Sequence, residues 1–255
     1  TTSSGNTAVG YQAGYSQTTV NSTYPNTYVG YTAGYANVTG LANTAVGAYA
    51  LNQNTGDNTT AVGYGALQVA TSGGYNDAFG SFSLNKTTTG TRNVGFGQSS
   101  LYNNTTGNYN SAFGHSALFS NTTASRNTAV GYAAGYANTT GHVTAIGSYV
   151  LYNNTTGGNN FAQGYAALKC NTTGSSNHAQ GYCALFNNTS GDHNFAFGRY
   201  SLSCNTIGSV NFAVGCYALM YNTTGSNNVG IGFYALMYNA TGANNIGVGC
   251  RSLIN

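Results

Sequence analysis

The residues of this chain that could do chemistry are few: four histidines, five cysteines, three aspartates and a recurring Asn-Thr-Thr-Gly phrase. Catalysis asks a histidine to stand within hydrogen-bond reach of a nucleophile or a carboxylate. His115, His142, His178 and His193 have no such companion that recurs, and the chain has no glutamate. The sequence names no catalytic residue, metal site or cofactor, and it argues against an enzyme. A calcium-binding β-roll carries an aspartate in every turn, whereas Asp57, Asp77 and Asp192 are the only three here. Gly-x-Gly at 95–97, 230–232 and 247–249 precedes no helical pattern that would hold a phosphate. Cys170, Cys183, Cys204, Cys216 and Cys250 are odd in number and irregular in spacing, neither a disulfide framework nor a zinc set.

The amides are more informative. Asn-x-Ser/Thr, the acceptor pattern for N-glycans, occurs at Asn21, Asn37, Asn58, Asn85, Asn103, Asn104, Asn121, Asn138, Asn153, Asn154, Asn171, Asn187, Asn188, Asn222 and Asn239. Only 4% of the residues are charged, against roughly 25% in an average soluble protein. Dispersal in water then falls to Asn, Thr and Ser, or to something attached to them. Six scattered Lys and Arg give a net charge of +3 without a basic run, too thin for a nucleic-acid footprint. No stretch approaches the roughly 20 apolar residues of a membrane span.

What positions these groups is a period. The glycine that closes each Asn-x-Ala-Val-Gly phrase falls at 10, 30, 47, 63, 80, 97, 114, 131, 147, 164, 181, 198, 215, 232 and 249. The spacings are 20, 17, 16, four of 17, 16, and 17 thereafter. A short fixed period marks a solenoid, in which each unit buries its apolar face only against its neighbours. The whole of 1–255 reads as one array of about fifteen 17-residue coils, an all-β parallel β-solenoid of the β-roll kind. Helix is excluded by the Gly, Asn, Thr and Tyr density and the lack of a 3.6 period.

Counting each coil from its glycine as position 0, −4 is usually Asn, −2 is Ala or Gly, and −1 is Val, Phe or Ile. Position +3 is small, with Val150 as an outlier, and Tyr28 is the exception at −2. Position +4 is Leu except at Gly14, Gly34 and Gly135. Alternation along a strand puts −1 and −2 on opposite faces. The pattern predicts strands near −4 to +1 and +2 to +5, with bends at the glycines of 0 and +10 where positive φ suits them. The expected core is a column of Val46, Val62, Phe79, Phe96, Phe113 and Val130 at −1, facing Leu51, Leu67, Leu84, Leu101 and Leu118. At one strand spacing per coil the array would be about 70 Å long.

Register sharpens the amide reading. Asn37, Asn104, Asn121, Asn138, Asn154, Asn171, Asn188, Asn222 and Asn239 all occupy +7, a ladder expected along one exposed edge. They are candidate N-glycosylation sites or, alternatively, a stack of amides bonding one another. Gln163 and Gln180 replace the apolar residue at −1 in consecutive coils; they read as a tolerated pair or as an axial polar ladder between chains. Cys170 and Cys204 share +6, and Cys216 and Cys250 share +1. Each pair lies two coils, about 9–10 Å, apart, beyond the roughly 7 Å a disulfide spans between Cα atoms. Free thiols or bonds between chains remain.

Asn6–Gly10, Asn43–Gly47 and Asn127–Gly131, each reading N-T-A-V-G, resemble the S-V-A-I-G phrase of trimeric autotransporter adhesin heads. The longer phrase NTAVGYAAGYANTTG is similar to the repetitive shafts of phage tail-fibre proteins. The resemblance implies a left-handed roll packed as a homotrimer, with a 17-residue period and an N-T-T-G turn that depart from the adhesin pattern. The function expected is non-enzymatic: the shaft or stalk of an extracellular or virion fibre involved in surface attachment. Its partners are further copies of itself, as a homotrimer or a head-to-tail filament, and cell-surface glycans through a separate tip. Neither nucleic acid nor a membrane span is expected. Thr1 and Asn255 read either as cuts within a longer array or as ends where subunits stack head to tail. A carbohydrate-binding adhesin head, using Tyr15, Tyr35, Tyr102, Phe119, Tyr136, Tyr152 and Phe186 at +5, is the alternative. An antifreeze solenoid with Thr at +8 and +9 is a further one.

Overall fold

The computed structural model describes residues 5–18 and 23–254. The sequon at Asn21 and the terminal residues Thr1 and Asn255 lie outside them. The chain divides into two compact units, Thr1–Asn127 and Thr128–Asn255. The first holds β1 (Thr7–Val9), β2 (Thr27–Val29), β3 (Thr44–Val46), β4 (Thr60–Val62), β5 (Asp77–Phe79), β6 (Val94–Phe96) and β7 (Ser111–Phe113). The second holds β8 (Thr128–Val130), β9 (Val143–Ile146), β10 (Asn160–Gln163), β11 (His178–Gln180), β12 (Phe195–Phe197), β13 (Phe212–Val214), β14 (Val229–Ile231) and β15 (Ile246–Val248). Within each unit every strand pairs in parallel with the next, and equivalent positions face one another: Ala45 with Ala61, Phe79 with Phe96, Ala179 with Ala196. The expected parallel β-solenoid is what the chain forms. No helix occurs among the described residues, so none is long and apolar enough to cross a membrane.

The coil differs from expectation in two ways. First, its only strand is short, −3 to −1 in most coils, and the segment +2 to +5 is not a strand. There the backbone alternates into the left-handed region, as at Tyr49 (φ 60°) and Leu51 (φ 50°), or Tyr200 (φ 55°) and Leu202 (φ 50°). Such a φ is costly for a bulky residue, and its recurrence in coil after coil needs a steady compensation. Hydrogen bonds to the next coil supply it: Leu67 N–H donates to the Ser83 carbonyl at 3.0 Å, Val69 to Asn85 at 3.1 Å and Thr71 to Thr88 at 3.0 Å. Inter-coil bonding therefore continues where strand geometry stops.

Second, the strand faces the other way round. Ala45, Ala61, Ala112 and Ala196 at −2 have no exposed surface, whereas Phe96 at −1 is 55% exposed and Phe113 42%. The predicted −1 column of Val46, Val62, Phe79, Phe96, Phe113 and Val130 is thus an outer face. The Leu51, Leu67, Leu84, Leu101 and Leu118 column is inside as expected. A 17-residue coil encloses so little space that one leucine, two methyl-sized side chains and two asparagine amides fill it. The bulky apolar residues are left outside because they do not fit.

The two recurrent glycines answer to different constraints. At position 0 both φ and space demand glycine: Gly47 has φ 134°, and a Cβ there would lie 2.6 Å from the Gly63 carbonyl oxygen. At +10 the φ is ordinary, contrary to the expected positive-φ bend. A Cβ on Gly191 would strike the carbonyl of Gly208 and the side-chain oxygen of Asn188. Crowding, not handedness, selects glycine at that corner.

Candidate functional site

The +7 asparagines lie inside the coil. Asn37, Asn104, Asn121, Asn138, Asn154, Asn171, Asn188 and Asn222 are buried, and Asn239 is half-buried. In the second unit the Nδ2 of Asn171 donates to the Oδ1 of Asn154 at 2.7 Å, Asn188 to Asn171 at 2.8 Å, Asn205 to Asn188 at 2.8 Å and Asn222 to Asn205 at 2.9 Å. The second proton of each nitrogen goes to the +10 carbonyl of its own coil, as from Asn171 to Gly174 at 2.8 Å and from Asn188 to Gly191 at 2.9 Å. The first unit repeats the pattern at Asn121, bonded to Asn104 at 2.8 Å and to Ala124 at 3.0 Å. The expected exposed edge is therefore corrected: these amides face the interior. Each nitrogen in that run is buried with both protons engaged. Buried amides are tolerated because every donor is met.

A second column at −4 completes the network. Asn177 takes its backbone bond from N–H to the Asn160 Oδ1 at 2.9 Å, and its Nδ2 donates to the Gly191 carbonyl at 2.8 Å. Its Oδ1 accepts from the Asn194 N–H at 3.0 Å. Gly191 thus accepts from both columns, which ties the turn to the strand. This column breaks only at Thr59 and Val143 among the described residues from Asn26 onward, the −4 positions that end the two 16-residue spacings. Loss of one residue from a coil costs it that amide.

The first coils are built differently. Gly14 and Gly34 leave the Leu position empty, and the Tyr28 ring fills it: a Cβ on Gly14 would lie 2.8 Å from that ring. Tyr28 is 1% exposed. Its hydroxyl accepts from the Asn37 Nδ2 at 2.5 Å and donates to the Gln17 Oε1 at 3.3 Å. Burial pushes its pKa up to about 12, with the Asn37 hydrogen bond opposing. In the second unit Val150, fully buried, stands in the coil after Gly135, and the Gly135 N–H donates to its carbonyl at 2.9 Å, as the +4 N–H does to the next coil elsewhere.

Outside, aromatic rings run in rows. Phe161, His178, Phe195 and Phe212 at −3 stack with centroids 4.5, 4.8 and 4.8 Å apart. Burial between its neighbours lowers the pKa of His178. Beside them Gln163, exposed, and Gln180, half-buried, are register partners on the outer face. At +5, Tyr15 stacks on Tyr35 at 5.3 Å and 6°, Tyr102 on Phe119 at 5.2 Å and 5°, and Tyr136 on Tyr152 at 4.9 Å and 8°. Those rings spend their faces on each other.

The remaining reactive groups stay apart. His115, His142 and His193 are exposed in separate coils, and His115 meets the Ser116 hydroxyl at 2.9 Å. No three His, Cys, Asp or Glu gather as a metal set among the described residues. The five cysteines are free thiols, Cys216 and Cys250 exposed and Cys183 buried. Burial raises the pKa of Cys170, Cys183 and Cys204, which weakens them as nucleophiles. The sequence reading missed the −4 column and the Tyr28 pairing. The first had a signal in the constancy of Asn from coil to coil. Comparison with family models, with curated proteins and with solved structures found no match to this chain.

Proposed function

We propose that this chain is a non-enzymatic structural segment of an extracellular or virion fibre, packed as a homotrimer, whose task is to hold an attachment surface at a distance. One observation carries the reading. The outer strand face presents Val46, Phe96 and Phe113 in the first unit, and Val130, Phe197, Phe212, Ile231 and Val248 in the second, all exposed. Monomeric proteins rarely leave large apolar patches of that kind uncovered. Further copies of the same face are a matching cover, and the resemblance to trimeric adhesin heads supports threefold packing and left-handed winding. Gln163 and Gln180 would then meet their equivalents near the axis. Coils joined by continuous hydrogen bonding and internal amide columns suit a mechanical role. The rival sugar-stacking row at +5 fits less well, because sugars need open ring faces.

Light scattering on the purified chain tests this. Three chain masses are expected, falling to one in Phe96→Ser/Phe113→Ser with the far-UV spectrum unchanged. A wild-type chain that stays monomeric at micromolar concentration would overturn the assembly and, with it, the fibre.

A further inference from the structure

Position −5 forms a corner between the turn and the strand, and its backbone lies in the left-handed region. Asn, which tolerates that region, holds the corner at Asn58, Asn159, Asn227 and Asn244. Four consecutive coils of the first unit give it to other residues: Tyr75 (φ 59°), Arg92 (φ 56°), Tyr109 (φ 58°) and Arg126 (φ 61°). Ala42, Ser176, His193 and Val210 take the same φ elsewhere, so the conformation belongs to the coil, and what sets this run apart is its large polar side chains in register.

Their arrangement is ordered. Each N–H donates to the preceding coil: Tyr75 to Asp57 at 3.0 Å, Arg92 to Gly74 at 3.3 Å, Tyr109 to Thr91 at 3.1 Å, Arg126 to Asn108 at 2.9 Å. The Arg92 guanidinium lies 5.3 Å from the Tyr75 ring centre and 5.5 Å from that of Tyr109, and it donates to the Tyr109 hydroxyl at 3.1 Å. Tyr75 is 55% and Tyr109 50% exposed, and both arginines are exposed. Of the chain's three carboxylates, Asp57 takes the Leu41 N–H at 2.8 Å and Asp192 the Ser175 N–H at 2.7 Å, while Asp77 sits on β5. The result is a row of alternating phenol and guanidinium in a chain almost without acids.

We propose that this row binds an acidic polysaccharide lying along the stack, with one carboxylate on each arginine. The two arginines hold the same coil position two coils apart, which separates their Cα atoms by about 9.6 Å at one strand spacing per coil. An extended disaccharide advances by about the same distance, so a polymer with an acid on every second sugar meets both arginines in register. Arginine holds a carboxylate through paired N–H groups at its edge, and that edge remains available when the planar faces rest on tyrosine. The tyrosine hydroxyls between them suit sugar hydroxyls. A single-stranded nucleic acid fits worse, because its phosphates recur more closely and its bases need the ring face that Arg92 covers on Tyr75 and on Tyr109. This goes beyond the fibre reading and does not depend on trimer formation.

The test is titration of the full chain with an alternating glucuronate–N-acetylglucosamine polymer, with neutral dextran and with oligothymidylate. Binding to the acidic polymer is expected, weakened at least about tenfold by Arg92→Gln/Arg126→Gln and by added salt, with the melting temperature unchanged. Equal binding by the double variant, equal binding of dextran, tighter binding of oligothymidylate, or no binding by the wild type would each overturn the proposal.

Discussion

The coils around Tyr28 and those from Leu151 to Leu236 solve one packing problem in two ways. In the later stretch every coil supplies its own Leu at +4 and its own Asn at +7, and the amides form an unbroken run from Asn154 to Asn222. Around Tyr28 two coils lack the leucine, and a single ring from −2 fills both gaps and replaces an amide in the ladder as the partner of Asn37. Farther along the first unit, Ala70 and Thr87 stand where Asn is usual, and the buried Thr87 hydroxyl has no partner. A repeat thus tolerates departure when a neighbour changes with it, and otherwise carries a defect.

The largest effect should come from Tyr28→Ala, which empties two coils and should cost about 3–5 kcal/mol in urea unfolding. Gly34→Leu alone should also destabilise, because the ring occupies its place, yet the backbone there (φ 61°) matches that of Leu51 (φ 50°). Combined, the two should restore more than 1 kcal/mol relative to their sum; simple additivity would mean that the ring does not substitute for the leucines. Tyr28 also predicts a pH signature. Its folded pKa of about 12 lies above the ordinary tyrosine value of 10.0, so its contribution is complete below pH 10. It is lost as pH rises towards 12, because the unfolded tyrosine ionises first, at a cost of roughly 2–3 kcal/mol. Tyr28→Phe should lack that step.

Next in size is the contrast between a complete and a defective ladder. Asn171→Ala strips the Asn188 amide of its acceptor and the Gly174 carbonyl of a donor, and should cost about 2–3 kcal/mol. Thr87→Val, which removes an already unpartnered hydroxyl, should be neutral or stabilising. If both cost the same, the ladder contributes nothing beyond filling space. The smallest effect is expected at the outer face: Phe113→Ala, measured at a dilution where chains are separate, should change stability by less than about 1 kcal/mol. A loss like that of Tyr28→Ala would mean that the outer phenylalanines pack within the single chain after all.

Much of this was written plainly in the residues. The 17-residue period, the glycine at 0 and the Leu51–Leu118 column follow from spacing alone. The orientation of the strand did not, because ranking residues by hydrophobicity sends Val46 and Phe113 inward and leaves Ala45 and Ala112 undecided. Volume decides it, and volume is a property of the closed coil. Polarity misled in the same way at +7, where Asn suggests a surface turn until its partners one coil away are known. A better guide was available in variability. Position −1 changes among Val, Phe, Ile and Gln, and −3 among Thr, Asp, Val, Phe and His, whereas Asn at −4 and +7 hardly changes. Tolerant positions face water; fixed ones face neighbours. The Tyr28 substitution lay beyond such rules, since it joins positions in different coils.

The amide columns have one further consequence. In the second unit the side-chain bonds from Asn154 to Asn222 along +7 run the same way, from the nitrogen of the later coil to the oxygen of the earlier one, and the bonds made along −4 there run likewise. Aligned amides add their dipoles, as peptide units do in a helix, and each bond polarises the next. Where the run is unbroken, from Asn154 to Asn222, the amide column is electrically poled, while the backbone bonds between coils run both ways. A cut there would leave side-chain oxygens on the earlier coil and side-chain N–H groups on the later one, so the column continues only when coils stack in one sense.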